Sequence, residues 1–112
     1  KIFKRDGSDI YLDIPISYSQ ACLGDDVQVP TLRGKIKMKI PVGTQSNTLF
    51  RIKGKGIHSL RGFGKGDEFV KVVVETPQKL TKKQKELLKE FDKLSKEKPL
   101  KSFLDKIKDV FE

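Results

Sequence analysis

Apolar and polar residues alternate along the first two thirds of the chain and change to a helical rhythm after Pro77. From Asp9 to Ser17, Ile10, Leu12, Ile14 and Ile16 fall on one face and Tyr11, Asp13, Pro15 and Ser17 on the other. This period of two is that of a strand with one buried side. Phe3 to Arg5 supplies a partner strand across Asp6-Gly7-Ser8, because Asp-Gly accepts the positive backbone angle of a tight hairpin. Proline donates nothing to a ladder, so Pro15 assigns the second strand to an edge or to a local irregularity. Tyr18 to Leu23 reads as a short helical turn closed by Gly24. Strands follow at Val27-Gln28-Val29 and at Lys35 to Ile40, where Ile36, Met38 and Ile40 face inward and Lys35, Lys37 and Lys39 form a solvated row. Further strands run from Thr48 to Ile52 and from Glu68 to Thr76, the latter with Val70, Val72 and Val74 on its buried side. Between them lies a Gly-rich loop, Lys53 to Gly66, too long to be an ordinary connection.

Beyond Pro77, Thr81 and Gln84 form a capping-box pair at a helix start. Leu87, Leu88, Phe91 and Leu94 make one apolar stripe, the tract Ser95 to Pro99 interrupts it, and Leu100, Phe103, Leu104, Ile107, Val110 and Phe111 make a second. A helix of about a dozen residues is marginal in water unless its apolar face is covered. The second helix therefore calls for a partner surface, either the β region of its own chain or a second chain.

The 112 residues suit one modest core, and a chain that opens at Lys1 on a strand is expected to be a piece of something longer. No apolar stretch approaches the roughly 20 residues that span a bilayer, and no apolar run follows a basic start, so a soluble chain with no membrane partner is expected. The single cysteine, Cys22, excludes an internal disulfide and a Cys-rich zinc cluster within this segment, and fits a reducing cytoplasm. The net charge of +9 raises the question of nucleic acid. The excess is spread, with 13 Lys+Arg against 8 Asp+Glu up to Pro77 and 11 against 7 beyond it, as solvated faces would have it.

Little in the chain could carry catalysis. His58 is the only histidine and has no nearby cysteine or carboxylate cluster with which to hold zinc or build a hydrolytic triad. Gly54-Lys55-Gly56 and Gly62-Phe63-Gly64-Lys65-Gly66 lack phosphate-loop spacing and precede no helix, so their glycines serve tight turns and close packing. Arg61-Gly62-Phe63-Gly64 is a single copy of an RNA-binding type of repeat. Asp25-Asp26, just after Gly24, is turn chemistry rather than a catalytic dyad. Lys85, Lys89 and Lys93 fall four apart on one helix face, either a basic ridge for an acidic partner or, more often for such a row, only an exposed one.

Taken in order, several segments are together specific. They are Phe3 to Tyr11, Ala21-Cys22-Leu23-Gly24-Asp25, Val29-Pro30-Thr31-Leu32-Arg33-Gly34, Ile40-Pro41-Val42-Gly43-Thr44-Gln45-Ser46, Phe50-Arg51-Ile52-Lys53-Gly54-Lys55-Gly56 and Gly66-Asp67. They resemble the second C-terminal β-domain of DnaJ-type co-chaperones, and the tail from Thr81 is similar to that family's helical dimerisation region. Asn47 stands where the family usually has glycine, and His58 where it commonly has proline. The resemblance implies a mostly β fold, a two-layer β-sandwich with a short helix over residues 1–77, followed by a helical dimerisation tail over 78–112. It also implies a homodimeric co-chaperone that holds unfolded polypeptide clients for a DnaK-type ATPase. The client groove would involve Leu12 and Ile14 on the strand before the short helix and Val27 and Val29 on the strand after it. The dimer interface would involve Leu100, Phe103, Leu104, Ile107 and Phe111. The chain has no His-Pro-Asp tripeptide and no Cys-x-x-Cys-x-Gly-x-Gly repeat, so no cofactor is expected in this fragment, and zinc only in a Cys-rich module elsewhere.

A client peptide suits such a site, since a sheet edge binds extended backbone while apolar pockets take alternate side chains. A basic β-domain that binds nucleic acid through Lys35, Lys37, Lys39 and the Gly-rich loop is the competing reading. No aromatic residue interleaves with that lysine row to stack a base, which weighs against it.

Overall fold

A computed structural model describes residues 2–59 and 64–111; Arg61-Gly62-Phe63 and the side chain of Phe111 lie outside the described residues. The chain divides into two compact units, Lys1–Pro77 and Gln78–Glu112.

The first unit holds β1 (Lys4–Asp6), β2 (Asp9–Ser17), α1 (Tyr18–Leu23), β3 (Asp25–Thr31), β4 (Gly34–Ile40), β5 (Leu49–Ile52) and β6 (Glu68–Glu75). One sheet has the order β1-β2-β6-β5 and the other is the hairpin β3-β4, a mostly β arrangement of two layers. Gly7, at a φ of 64°, turns β1 into β2. β2 then runs parallel to β6, with Ile10 opposite Glu68, Leu12 opposite Val70, Ile14 opposite Val72 and Ile16 opposite Val74. α1 starts on a capping box made by Ser17 and Gln20 and ends at Gly24, where a side chain would collide with the Ile40 carbonyl. β3 is longer than its Val27-Gln28-Val29 centre suggests, because its pairing with β4 continues from Asp25↔Ile40 to Thr31↔Gly34. Asn47, at a φ of 72°, takes the left-handed conformation that asparagine tolerates better than most residues.

The core is where the two layers meet. Leu12 and Ile16 of β2, Ala21 of α1, Val29 of β3, Met38 and Ile40 of β4, and Val70 and Val72 of β6 form one buried cluster. Every one of these strand residues lies at the apolar parity read from sequence. Burying an aliphatic side chain of this size contributes about 1.5–3 kcal/mol, so this cluster is the main source of the unit's stability.

The second unit holds α2 (Lys82–Leu94) and α3 (Pro99–Phe111). The α2 capping box is formed as the sequence suggests, with Thr81 Oγ1 accepting from Gln84 N–H and Gln84 Oε1 accepting from Thr81 N–H. None of the α2 residues is buried. Among the described residues, no helix is long and apolar enough to cross a membrane.

Candidate peptide-binding edge

The β1–β2 ladder stops at Lys4↔Tyr11, and Ile2 and Phe3 are not part of any strand. From Leu12 to Ile16, β6 is the only strand paired with β2 among the described residues, so the other backbone edge of β2 is open there. Beside that edge lies a cleft of about 340 Å³. Tyr11, Leu12, Asp13 and Ile14 form its β2 wall, Ile2 and Lys4 flank it where β1 begins, and Pro30 of β3 closes the far side. Pro15 accordingly sits on an edge, though an edge that opens part-way along the strand rather than at the end of the sheet order.

The four residues that the resemblance points to take different places. Ile14 is half-buried, packs on the core and reaches the cleft. Leu12 is only 5% exposed, so its side chain belongs to the core while its stretch of strand lines the cleft. Val27 is partly buried against the core and does not line the cleft. Val29 is 0% exposed and lies inside the sandwich, because its strand parity aims it at the β2–β6 layer. Pro30, one residue on, takes the β3 side of the cleft, and was absent from the sequence-based set together with Tyr11 and Asp13. The signal for Pro30 was its place one residue past the buried parity of β3.

The Gly-rich loop is clamped beside the start of β2. Asp67 Oδ1 accepts from Gly54 N–H at 2.8 Å, and Asp67 Oδ2 meets the Arg51 guanidinium at 2.6 Å. The Gly54 donor, helped by Arg51, holds the Asp67 carboxyl below the usual carboxylate range. Asp67 N–H donates to Asp9 Oδ1, and Ile57 N–H donates to the Ser8 carbonyl. A Cβ on Gly66 would collide with the Ser8 backbone, so only glycine fits. Neighbouring Glu68 is fully buried, and neither carboxyl oxygen has a hydrogen-bond partner among the described residues. Burial pushes its pKa up to about 7.

Among the described residues the basic features form no comparable site. The space bounded by Arg33, Lys55 and Lys65 is about 30 Å³, room for one water. Lys35, Lys37 and Lys39 are exposed along β4, while the paired rings Tyr11 and Phe69 stack on each other in the other sheet, 5.1 Å apart. His58 takes part in an isolated bridge with Lys65, a backbone role in the loop. Among the described residues no group of three His, Cys, Asp or Glu side chains could hold a metal ion.

In the second unit Leu100, Phe103 and Leu104 are 68%, 56% and 51% exposed, and Ile107 is half-buried.

Comparison with known proteins bears on both units. The family described as "DnaJ C terminal domain" matches residues 1–77, and that described as "Chaperone protein DnaJ C-terminal region" matches residues 83–112. The chain belongs to the DnaJ family. It is similar to the chaperone protein DnaJ of a Geobacillus species, 54% identical over 115 residues that cover 99% of this chain and 30% of that protein. Its identity to the DnaJ of Geobacillus thermodenitrificans is 59% over 97 residues, covering 87% of this chain and 26% of that protein. For the DnaJ of Fusobacterium nucleatum it is 52% over 113 residues, covering 98% and 29%. The chain thus spans about 30% of the length of these curated DnaJ relatives and corresponds to their C-terminal region.

Proposed function

We propose that this chain is the client-holding and self-associating part of a cytoplasmic DnaJ-type co-chaperone, a binding module rather than a catalyst. Extended segments of unfolded polypeptide add to the open edge of β2, with apolar side chains resting on Ile14, Leu12 and Pro30, while Val27 and Val29 support the groove from within. The observation that carries this reading is the outer edge of β2 left open beyond Tyr11 beside an apolar cleft, since backbone pairing supplies sequence-tolerant affinity and the cleft supplies preference for apolar segments. Two chains associate through Leu100, Phe103, Leu104, Ile107 and Phe111 of α3, and linking two grooves raises avidity for a client with several apolar segments. In the complete protein the held client passes to a DnaK-type ATPase. The chain alone, which has no His-Pro-Asp tripeptide, holds without stimulating hydrolysis.

The test is suppression of aggregation of a chemically unfolded enzyme on dilution. The chain is expected to reduce light scattering in proportion to its concentration, and Ile14→Ser to weaken the effect at a temperature where its β unit is still folded, its unfolding temperature being lowered by the lost core contact. Scattering unaffected by a tenfold excess of the chain would contradict the proposal.

A further inference from the structure

Ile10 N–H donates to the Asp67 carbonyl at 3.0 Å. Backbone groups of a strand alternate sides, so Ile10, Leu12, Ile14 and Ile16 turn their N–H and C=O groups toward β6, and Tyr11, Asp13, Pro15 and Ser17 turn theirs the opposite way. On that opposite side Tyr11 is taken by its pairing with Lys4. Ser17 N–H is taken at 2.9 Å by Gln20 Oε1 in the α1 cap. Pro15 has no N–H to offer. Asp13 is the one residue between Tyr11 and Ser17 whose N–H and C=O both reach the open edge.

We propose that Asp13 is the backbone docking point for an extended client segment and that Pro15 limits the added ladder to this one residue pair. The inference rests on the client-binding reading above and gives it a register. A segment running antiparallel to β2 continues the place of β1, and its residue opposite Asp13 points with the Asp13 side chain to the outer, solvated face. Its two neighbours point inward over Leu12, Ile14 and Pro30. The site therefore selects a short pattern, apolar, then any residue, then apolar, and not a long strand. The same missing donor keeps a second copy of the chain from extending the sheet, since proline is a recurrent guard of exposed strand edges.

Amide exchange of the isotopically labelled 112-residue chain, with and without the capped peptide Lys-Gly-Leu-Ser-Leu-Gly-Lys, tests the register. At saturation Asp13 N–H should exchange at least tenfold more slowly, while Leu12 and Ile14 N–H change little. N-methylation of the peptide's serine, which removes the donor aimed at the Asp13 carbonyl, should weaken binding about tenfold. Pro15→Ala, which restores a second donor to the edge, should tighten binding about three- to tenfold, the worth of one net hydrogen bond. Binding of the peptide without protection of Asp13 and without sensitivity to N-methylation overturns the register and leaves the client-binding reading standing. Failure of the peptide to bind overturns the register as well, and if aggregation suppression also fails, the client-binding reading falls with it.

Discussion

The two units of this chain treat similar apolar residues in opposite ways. In the first, Val29, Ile40, Val70 and Val72 are 0% exposed, enclosed between two sheets. In the second, Leu87, Leu88, Phe91, Leu94, Leu100, Phe103 and Leu104 remain between 44% and 76% exposed, although they lie on helices with regular apolar spacing. Strand alternation gives the β unit two inner faces that close on each other. Each helix of the tail carries one apolar stripe that is largely exposed. The difference matches the two roles proposed above: a β unit that is stable by its own contacts and offers an edge, and a tail that covers its stripe with a second chain.

The comparison breaks if the core can be damaged without unfolding the β unit. Val29→Asp places a charge where no water or partner reaches, and should cost about 4 kcal/mol or more, abolishing the thermal transition. The matching change in the tail, Leu104→Asp, should leave that transition in place and act on assembly alone.

A smaller effect concerns the buried carboxyl of Glu68. The folded-state pKa of Glu68 is raised to about 7 from an ordinary 4.5, so the folded state holds its proton where the unfolded state has lost it. Stability contributed by the protonated form is full below pH 4.5, declines as pH rises toward 7 and levels off above, a loss on the order of 3 kcal/mol. Asp67 acts outside this window, because its depressed pKa matters only as pH falls below the ordinary aspartate range. Urea unfolding at pH 5 and pH 8 should show the decline in the parent chain and its absence in Glu68→Leu, which should also be the more stable of the two at pH 8. A flat profile in the parent would contradict the buried, unpartnered placement.

Next in size is Gly66→Ala. Its Cβ would meet the Ser8 backbone, and the substitution should cost about 2 kcal/mol, measured by denaturant unfolding. Smallest is Thr81→Ala, which removes the α2 capping box and should reduce helicity of the tail by circular dichroism, at about 1 kcal/mol, without moving the β-unit transition.

Much of this division was legible in the residues. The alternation Ile10-Leu12-Ile14-Ile16 and Ile36-Met38-Ile40 identifies the inner faces, and the Thr81/Gln84 pair marks the start of α2. The parity of β6 that buries Val70 and Val72 extends back to Glu68, so its burial was readable by counting even though its chemistry argued against it. The binding edge was less legible. Val27 and Val29 share the apolar alternation of any core strand, and sequence alone does not separate a residue that lines a groove from one that seals the layer beneath. What decides it is where β1 leaves β2, after Tyr11, a matter of how the chain before the hairpin diverges rather than of any residue in the strand. Pro15 alone hinted at an open edge.

The most direct test of the division is sedimentation equilibrium and thermal unfolding on the whole chain and on the chain ended at Lys98. The whole chain should be a dimer and the shortened one a monomer, with the same β-unit transition in both. An unchanged mass after removal of residues 99–112, or loss of the β-unit transition with them, would contradict the division.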